Sequence, residues 1–137
     1  IPGFGSGLLW PETVAALCAS AVVAGHVWPV WYGFRGGKGV ATLVGAFLVL
    51  SLPVVGVMLA TWVLALILTG YVGLASIMAA VSAPLFILVS EGISRPALLW
   101  FSAAMAVLVI YTHRENIARL KNGTEHQFRK ALLIRRT

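Results

Sequence analysis

From Gly39 to Ser90 the chain runs for 52 residues without a charged side chain. Apolar runs and their interruptions divide the sequence into five segments. The first covers about Glu12 to Tyr32 and ends in Trp28, Trp31 and Tyr32, the aromatic residues favoured at a membrane–water interface. The second runs from Gly39 to Leu52 and stops at Pro53; the third covers Val54 to Leu68 and ends at "TGYVG". The fourth runs from Val72 to Ser90, where "EGISRP" makes a polar turn. The fifth covers Ala97 to Thr112, and a basic tail follows. One crossing of a bilayer needs ~20 apolar residues. The pattern therefore predicts an all-α polytopic membrane helix bundle.

Two arguments favour five spans. If Pro53 only kinked a helix, Gly39 to Thr69 would form one span of 31 residues. At 1.5 Å per residue that is ~46 Å, against a hydrocarbon core of ~30 Å. With five spans, nine of the ten Lys and Arg residues lie on one side and only Arg95 lies opposite, as the positive-inside rule requires. Lys38, Ser76 and His113 then share the cytoplasmic face, either as parts of one site or merely as loop ends on one side.

Composition agrees. The chain of 137 residues is 60% hydrophobic and only 10% charged, against about 25% in soluble domains. This length accommodates a single integral domain over residues 1–137, with residues 113–137 as its basic cytoplasmic tail. The tail's "FRKALLIRRT" suits anionic lipid headgroups; nucleic acid is not expected as a partner, because the charge is short and membrane-tethered. Cys18 is the only cysteine, so no internal disulfide forms, and it reads as a small packing residue. Gly45 and Gly56 are expected to allow close helix packing. Glu12 and Glu91 read as solvated loop residues. Ile1 is not a methionine and no basic n-region follows, so upstream sequence is expected.

The chemistry concentrates in two stretches. In "YGFRGGKGVAT", Arg35 and Lys38 sit among glycines. A nucleotide-binding P-loop is excluded, since Lys38 is followed by Gly39 rather than Ser or Thr and the flanks are membrane helices. Two readings remain. Backbone amides of Gly36, Gly37 and Gly39 form an anion nest at a helix N-terminus, with Lys38 adding full charge, or the two cations only fix topology. In "YTHRENIARLKNGTEHQF", His113, Asn116, Ile117 and Leu120 share a helical stripe, and Asn122-Gly123 supplies the stop. Glu115 and Arg119 pair at i, i+4. His113 either hydrogen-bonds at the interface or orients and deprotonates a hydroxyl. His26, within an apolar segment, reads as a satisfied core histidine. The histidines lack metal-ligand spacing, so no metal is expected. The chain has no aspartate and no G-x-S-x-G elbow, which excludes a Ser-His-Asp hydrolase. A small membrane permease is an alternative reading, against which stands the absence of a charged coupling residue between Gly39 and Ser90.

"GHVWPVWYGFRGGKGVAT" and "HRENIARLKNGTE", with "YVGLAS" between them, resemble the signatures of the bacterial acyl-phosphate:glycerol-3-phosphate acyltransferase family. The resemblance implies a seven-span enzyme of the bacterial plasma membrane, with signature loops on the cytoplasmic side. Its implied reaction moves a fatty acyl group from acyl phosphate to the 1-hydroxyl of glycerol 3-phosphate, giving lysophosphatidic acid and phosphate at the start of phospholipid synthesis. The five segments would be the last five of seven. The family's Ser-Gly-Asn loop has no counterpart here; "GFGSG" at Gly3 to Gly7 lacks the asparagine. An N-terminally truncated chain is therefore expected, with an inactive structural fragment as the alternative. The resemblance implies that Gly36, Gly37, Lys38 and Gly39 bind substrate phosphate and that Ser76 lines the pocket. His113 and Asn116 would lie near the acceptor, and Glu125 would support them. No cofactor and no obligate protein partner are implied. Acyl phosphate, glycerol 3-phosphate and membrane lipids are the expected partners.

Overall fold

The computed structural model describes residues 10–128. The tail from 129 to 137 and the stretch Gly3 to Gly7 lie outside the described residues. Those described are all-helical: α1 (Trp10–Val27), a 3-10 turn (Val30–Tyr32), α2 (Val40–Leu50), α3 (Leu52–Thr69), α4 (Val72–Glu91), α5 (Pro96–Thr112) and α6 (Arg114–Lys121).

Local chemistry sets the boundaries. α1 stops at Val27, short of the expected Tyr32, because Pro29 disfavours helix at the residue before it and cannot donate to an earlier carbonyl. The break between α2 and α3 falls at Ser51, in extended conformation, and not at Pro53. Proline is tolerated in a first helical turn, where N–H groups lack intrahelical partners, and Pro53 and Pro96 both occupy that place.

Long-range bonds at two opposite faces fix the helix directions. Arg95, just ahead of α5, donates to Glu12 at the start of α1 (3.0 Å), to Glu91 at the end of α4 (3.4 Å) and to the Leu50 carbonyl at the end of α2 (3.4 Å). Glu12 and Glu91 are thus members of an ion-pair cluster and not the solvated loop residues expected. At the other face Thr112, ending α5, donates to the Lys38 carbonyl just ahead of α2 (3.0 Å). Gln127 there donates to the Thr69 carbonyl, ending α3 (3.0 Å). Successive helices α1 to α5 therefore run alternately between the two faces.

Helix α4 lies at the centre, packed against α3 and α5. Its buried face is Gly73, Ala75, Ser76, Ala79, Ala80 and Ala83, ending in Ile87, so neighbouring backbones approach closely. Phe47 of α2 meets Phe101 of α5 edge to face at 5.3 Å, within a core that includes Leu43, Val54, Met58 and Leu98. The exterior is as apolar as the interior: Val49, Leu59, Leu64, Val89, Trp100 and Val107 all point outward. Such a surface is stable against lipid. Gly45 and Gly56 also lie on this exterior with no atom near enough to need a glycine, so they do not serve the close packing expected of them. Cys18 is exposed on α1 and is not a packing residue.

Length separates the helices. The stretch Pro11–Tyr32, α3 and α4 are each long and apolar enough to cross a membrane, and α5 with α6 makes a fourth candidate bent by 55°. Helix α2 has 11 residues, ~16 Å, about half the hydrocarbon thickness, and so is shorter than a full span.

Candidate functional site

The face opposite Arg95 holds an open cavity of about 420 Å³. It is built from the end of α1, the start of α2, the first turns of α4, the α5–α6 junction and the segment after α6. Lys38, Gly39, Ser76, His113, Asn116 and Glu125 line it together with His26 and His126. Lys38, Ser76 and His113 are thus parts of one concavity and not merely loop ends sharing a side.

The loop before α2 folds back beneath α1. Gly36 N–H donates to the Val27 carbonyl (3.1 Å) and Gly37 N–H to the His26 carbonyl (3.2 Å), satisfying carbonyls at the end of α1. A side chain at Gly36 would overlap the His26 carbonyl, and one at Gly37 would meet the His26 ring. Neither glycine lines the cavity, and both N–H groups are already engaged. The anion nest expected of Gly36, Gly37 and Gly39 is therefore not formed by the first two; of these glycines Gly39 alone lines the cavity, followed by Val40 and Ala41. Their amides open α2, where backbone N–H groups lack intrahelical partners.

Lys38 is held twice: Thr112 bonds its carbonyl, and its ammonium donates to Asn116 Oδ1. Asn116 in turn donates from Nδ2 to Glu125 Oε1 (2.6 Å), and Arg119 donates to Glu125 Oε2 (2.6 Å). Asn116 is buried where α6 crosses α4, and the crossing needs Gly73, because a Cβ there would stand 2.8–2.9 Å from the Asn116 side chain. The segment after α6 is anchored by Gln127 on Thr69 and by Phe128 N–H on the Gly70 carbonyl (2.7 Å), which sets Glu125 and His126 against the cavity. Gly123, in left-handed conformation, supplies the predicted stop. Arg119 lies 4.0 Å from Glu115, the predicted partner, and makes its short contact with Glu125.

His113 stands at the bend between α5 and α6, only 3% exposed. Its Nδ1 lies 2.8 Å from the Val109 carbonyl. A carbonyl only accepts, so Nδ1 carries the proton, and Nε2 of the neutral ring is left as an acceptor. Burial, aided by the Lys38 charge, holds this imidazole below its ordinary pKa, against the opposing pull of the Val109 carbonyl and Glu125. Burial would raise the Glu125 carboxyl, but hydrogen bonds from Asn116 and Arg119, with the charges of Arg119 and Lys38, bring it below the usual value. Ser76 is buried, donating to the Val72 carbonyl (3.0 Å) and accepting from Trp62 (3.3 Å).

Three cavity features were not read from the sequence. His26 is an exposed residue at the cavity rim and not a core histidine, because the loop folds back beneath it. His126 and the Thr112 contact likewise arise from chain reversals. The one available signal was proximity along the chain: His26 directly precedes the loop that ends in Lys38. Among the described residues no group of acidic, histidine or cysteine side chains is arranged to hold a metal ion.

A family profile described as "Glycerol-3-phosphate acyltransferase" matches residues 3–123. A glycerol-3-phosphate acyltransferase from Geobacter sulfurreducens is 46% identical over 117 residues, covering 85% of this chain and 58% of that protein. One from Ruegeria is 42% identical over 114 residues, covering 83% and 55%. Among solved structures, the chain resembles an integral membrane glycerol 3-phosphate acyltransferase, PlsY (YgiH), in its glycerol 3-phosphate form. The TM-score is 0.79 at 37% identity, over 88% of this chain and 64% of that one. The lysophosphatidic acid form gives a TM-score of 0.79 at 34% identity, over 90% and 68%. The chain spans little more than half the length of these curated relatives.

Proposed function

Because the chain belongs to the glycerol-3-phosphate acyltransferase family, we propose that its cavity transfers a fatty acyl group from acyl phosphate to the 1-hydroxyl of glycerol 3-phosphate. The observation that carries this reading is the linked set Lys38–Asn116–Glu125, with His113 and Ser76, lining one cavity beside apolar helices. Acyl phosphate is a mixed anhydride, already activated, so no nucleophilic side chain is required. The acceptor oxygen attacks the acyl carbon, an ester C–O bond forms, and the C–O bond to phosphate breaks with its electron pair leaving on phosphate. Nε2 of His113 and a substrate phosphate oxygen are the two candidates to take the hydroxyl proton.

The protein's task is to hold two phosphate-bearing molecules together against their repulsion and to neutralise the departing charge. In this reading Lys38 and the first amides of α2 do so, Gly39 allows close approach, and Gly36 and Gly37 hold the loop in place. Asn116 orients Lys38 toward the acceptor, Glu125 fixes Asn116, and Ser76 lines the pocket. The outer grooves between apolar helices accommodate the acyl chain. In this reading the chain is one integral membrane domain of five segments, of which α2 is shorter than a full crossing. The alternation of helix ends and the charge bias support placing the cavity and residues 113–137 at the cytoplasmic face of the plasma membrane. The reaction opens phospholipid synthesis and involves no cofactor or obligate protein partner.

The test is product formation in membranes carrying the chain, alone and joined to the part of the Geobacter relative that it does not match. Lysophosphatidic acid should appear only when acyl phosphate and glycerol 3-phosphate are both supplied. Its absence from both preparations, with the protein inserted, would refute the reading.

A further inference from the structure

All three histidines of the chain line the one cavity, yet they are not equivalent. His113 is buried and bonded to Val109. Lys38, Asn116, Glu125 and Ser76 also have protein partners. The rings of His26 and His126 have none among the described residues. His26 is held firmly all the same. The Gly37 N–H anchors its carbonyl, and its ring lies so close over Gly37 that a Cβ there would come 2.5 Å from Nε2.

A fixed backbone and an unengaged imidazole in an open cavity describe a ligand contact better than a structural prop. The neighbouring charges define the ligand. Glu125 is already matched by Asn116 and Arg119, whereas the His26 side of the cavity presents Lys38 and the opening of α2. Both favour an anion. We infer that His26 is a phosphate-contacting residue, its ring donating a hydrogen bond to a nonbridging phosphate oxygen that Lys38 also approaches. The assignment of that phosphate to a substrate rests on the acyl-transfer reading. In that reading two phosphates must be held in the cavity, and the His26 ring packs on Gly37, the residue next to Lys38.

The chain in lipid nanodiscs, labelled with ¹⁵N in its histidine rings, provides the test. His26→Phe removes one of three ring signals and so assigns it, and the phenyl group still covers Gly37. Titration with inorganic phosphate should shift the His26 signals saturably. His26→Phe should weaken phosphate binding roughly tenfold, as loss of a hydrogen bond to a charged group does, without lowering the melting temperature. A purely supporting role would leave phosphate affinity unchanged in this variant. His26 signals that ignore phosphate, or unaltered affinity in His26→Phe, would overturn the inference. In turnover assays the variant should raise KM for one substrate. A rise for acyl phosphate places the contact on the donor, a rise for glycerol 3-phosphate places it on the acceptor, and a rise for neither refutes a substrate contact. Phosphate-dependent shifts without acyl transfer in either preparation, the chain alone or joined to the unmatched part of the Geobacter relative, would leave the contact standing and remove the acyltransferase reading. Acyl transfer with an unresponsive His26 would do the reverse.

Discussion

Replacing Gly73 by alanine should damage the site through Asn116 alone. The new Cβ would stand 2.8 Å from Asn116 Nδ2 and 2.9 Å from its Cβ and Cγ, where ordinary contact begins near 3.4 Å. Asn116 must therefore retreat by about 0.6 Å, on a side chain bonded to both Lys38 and Glu125. Overpacking of this kind costs ~1–3 kcal/mol, offset by up to ~1 kcal/mol from the better helix propensity of alanine. Displacement approaching 1 Å lowers turnover by up to ~100-fold. Thermal unfolding in detergent and acyl transfer in membranes read the two effects. The decisive control is the same change in an Asn116→Gly background, which removes the Cβ as well as the amide group and so clears the obstruction. There Gly73→Ala should become neutral or stabilising, giving a coupling of ~1–3 kcal/mol in the double-mutant cycle. Full activity in Gly73→Ala, or an equal penalty in both backgrounds, would refute the proposed packing of α6 on α4.

Four further outcomes follow from the structure. His113 has a depressed pKa, so its stabilising contribution is complete above the unfolded value near 6.5 and declines as pH falls through the folded value; His113→Gln should flatten that part of a stability–pH curve. The Glu125 carboxyl is also depressed, so its contribution is complete above the unfolded value near 4.5 and is lost as pH falls from there through the folded value, an acid loss that Glu125→Gln should remove. Arg95→Ala should lower stability by about 1–2 kcal/mol while leaving substrate affinities unchanged, because it frees Glu12 and Glu91 at the face remote from the cavity. Cysteines placed at Ile93 and Thr124, both exposed, in a Cys18→Ser background should label from opposite sides of the membrane, Ile93 from outside and Thr124 from the cytoplasm.

Much of this was legible before the structure, for physical reasons. A chain without charge for 52 residues has few alternatives to membrane helices, and prolines and glycines marked the breaks to within a few residues. Parity put Lys38, Ser76 and His113 on one face but left open whether they form one site; their meeting in one cavity depends on how the helix ends pack. Failures came where the chain reverses or packs sideways. No periodicity shows that Gly36 and Gly37 bond back to α1, and that reversal decides both their N–H partners and the exposure of His26. Glu12 read as a solvated residue because its partner Arg95 is 83 positions away in sequence. Glycines alone did not reveal which required close contact: Gly45 and Gly56 face outward, while Gly73 touches Asn116.

The central claim is that Lys38 brings phosphate-bearing substrates together in the cavity. It is tested most directly by glycerol 3-phosphate-dependent release of inorganic phosphate from acyl phosphate, in membranes matched for inserted protein. Lys38→Ala should lower that rate by ~100-fold or more, the scale of losing one preorganised electrostatic contact. A variant that retains the unsubstituted rate within a few-fold would contradict the account.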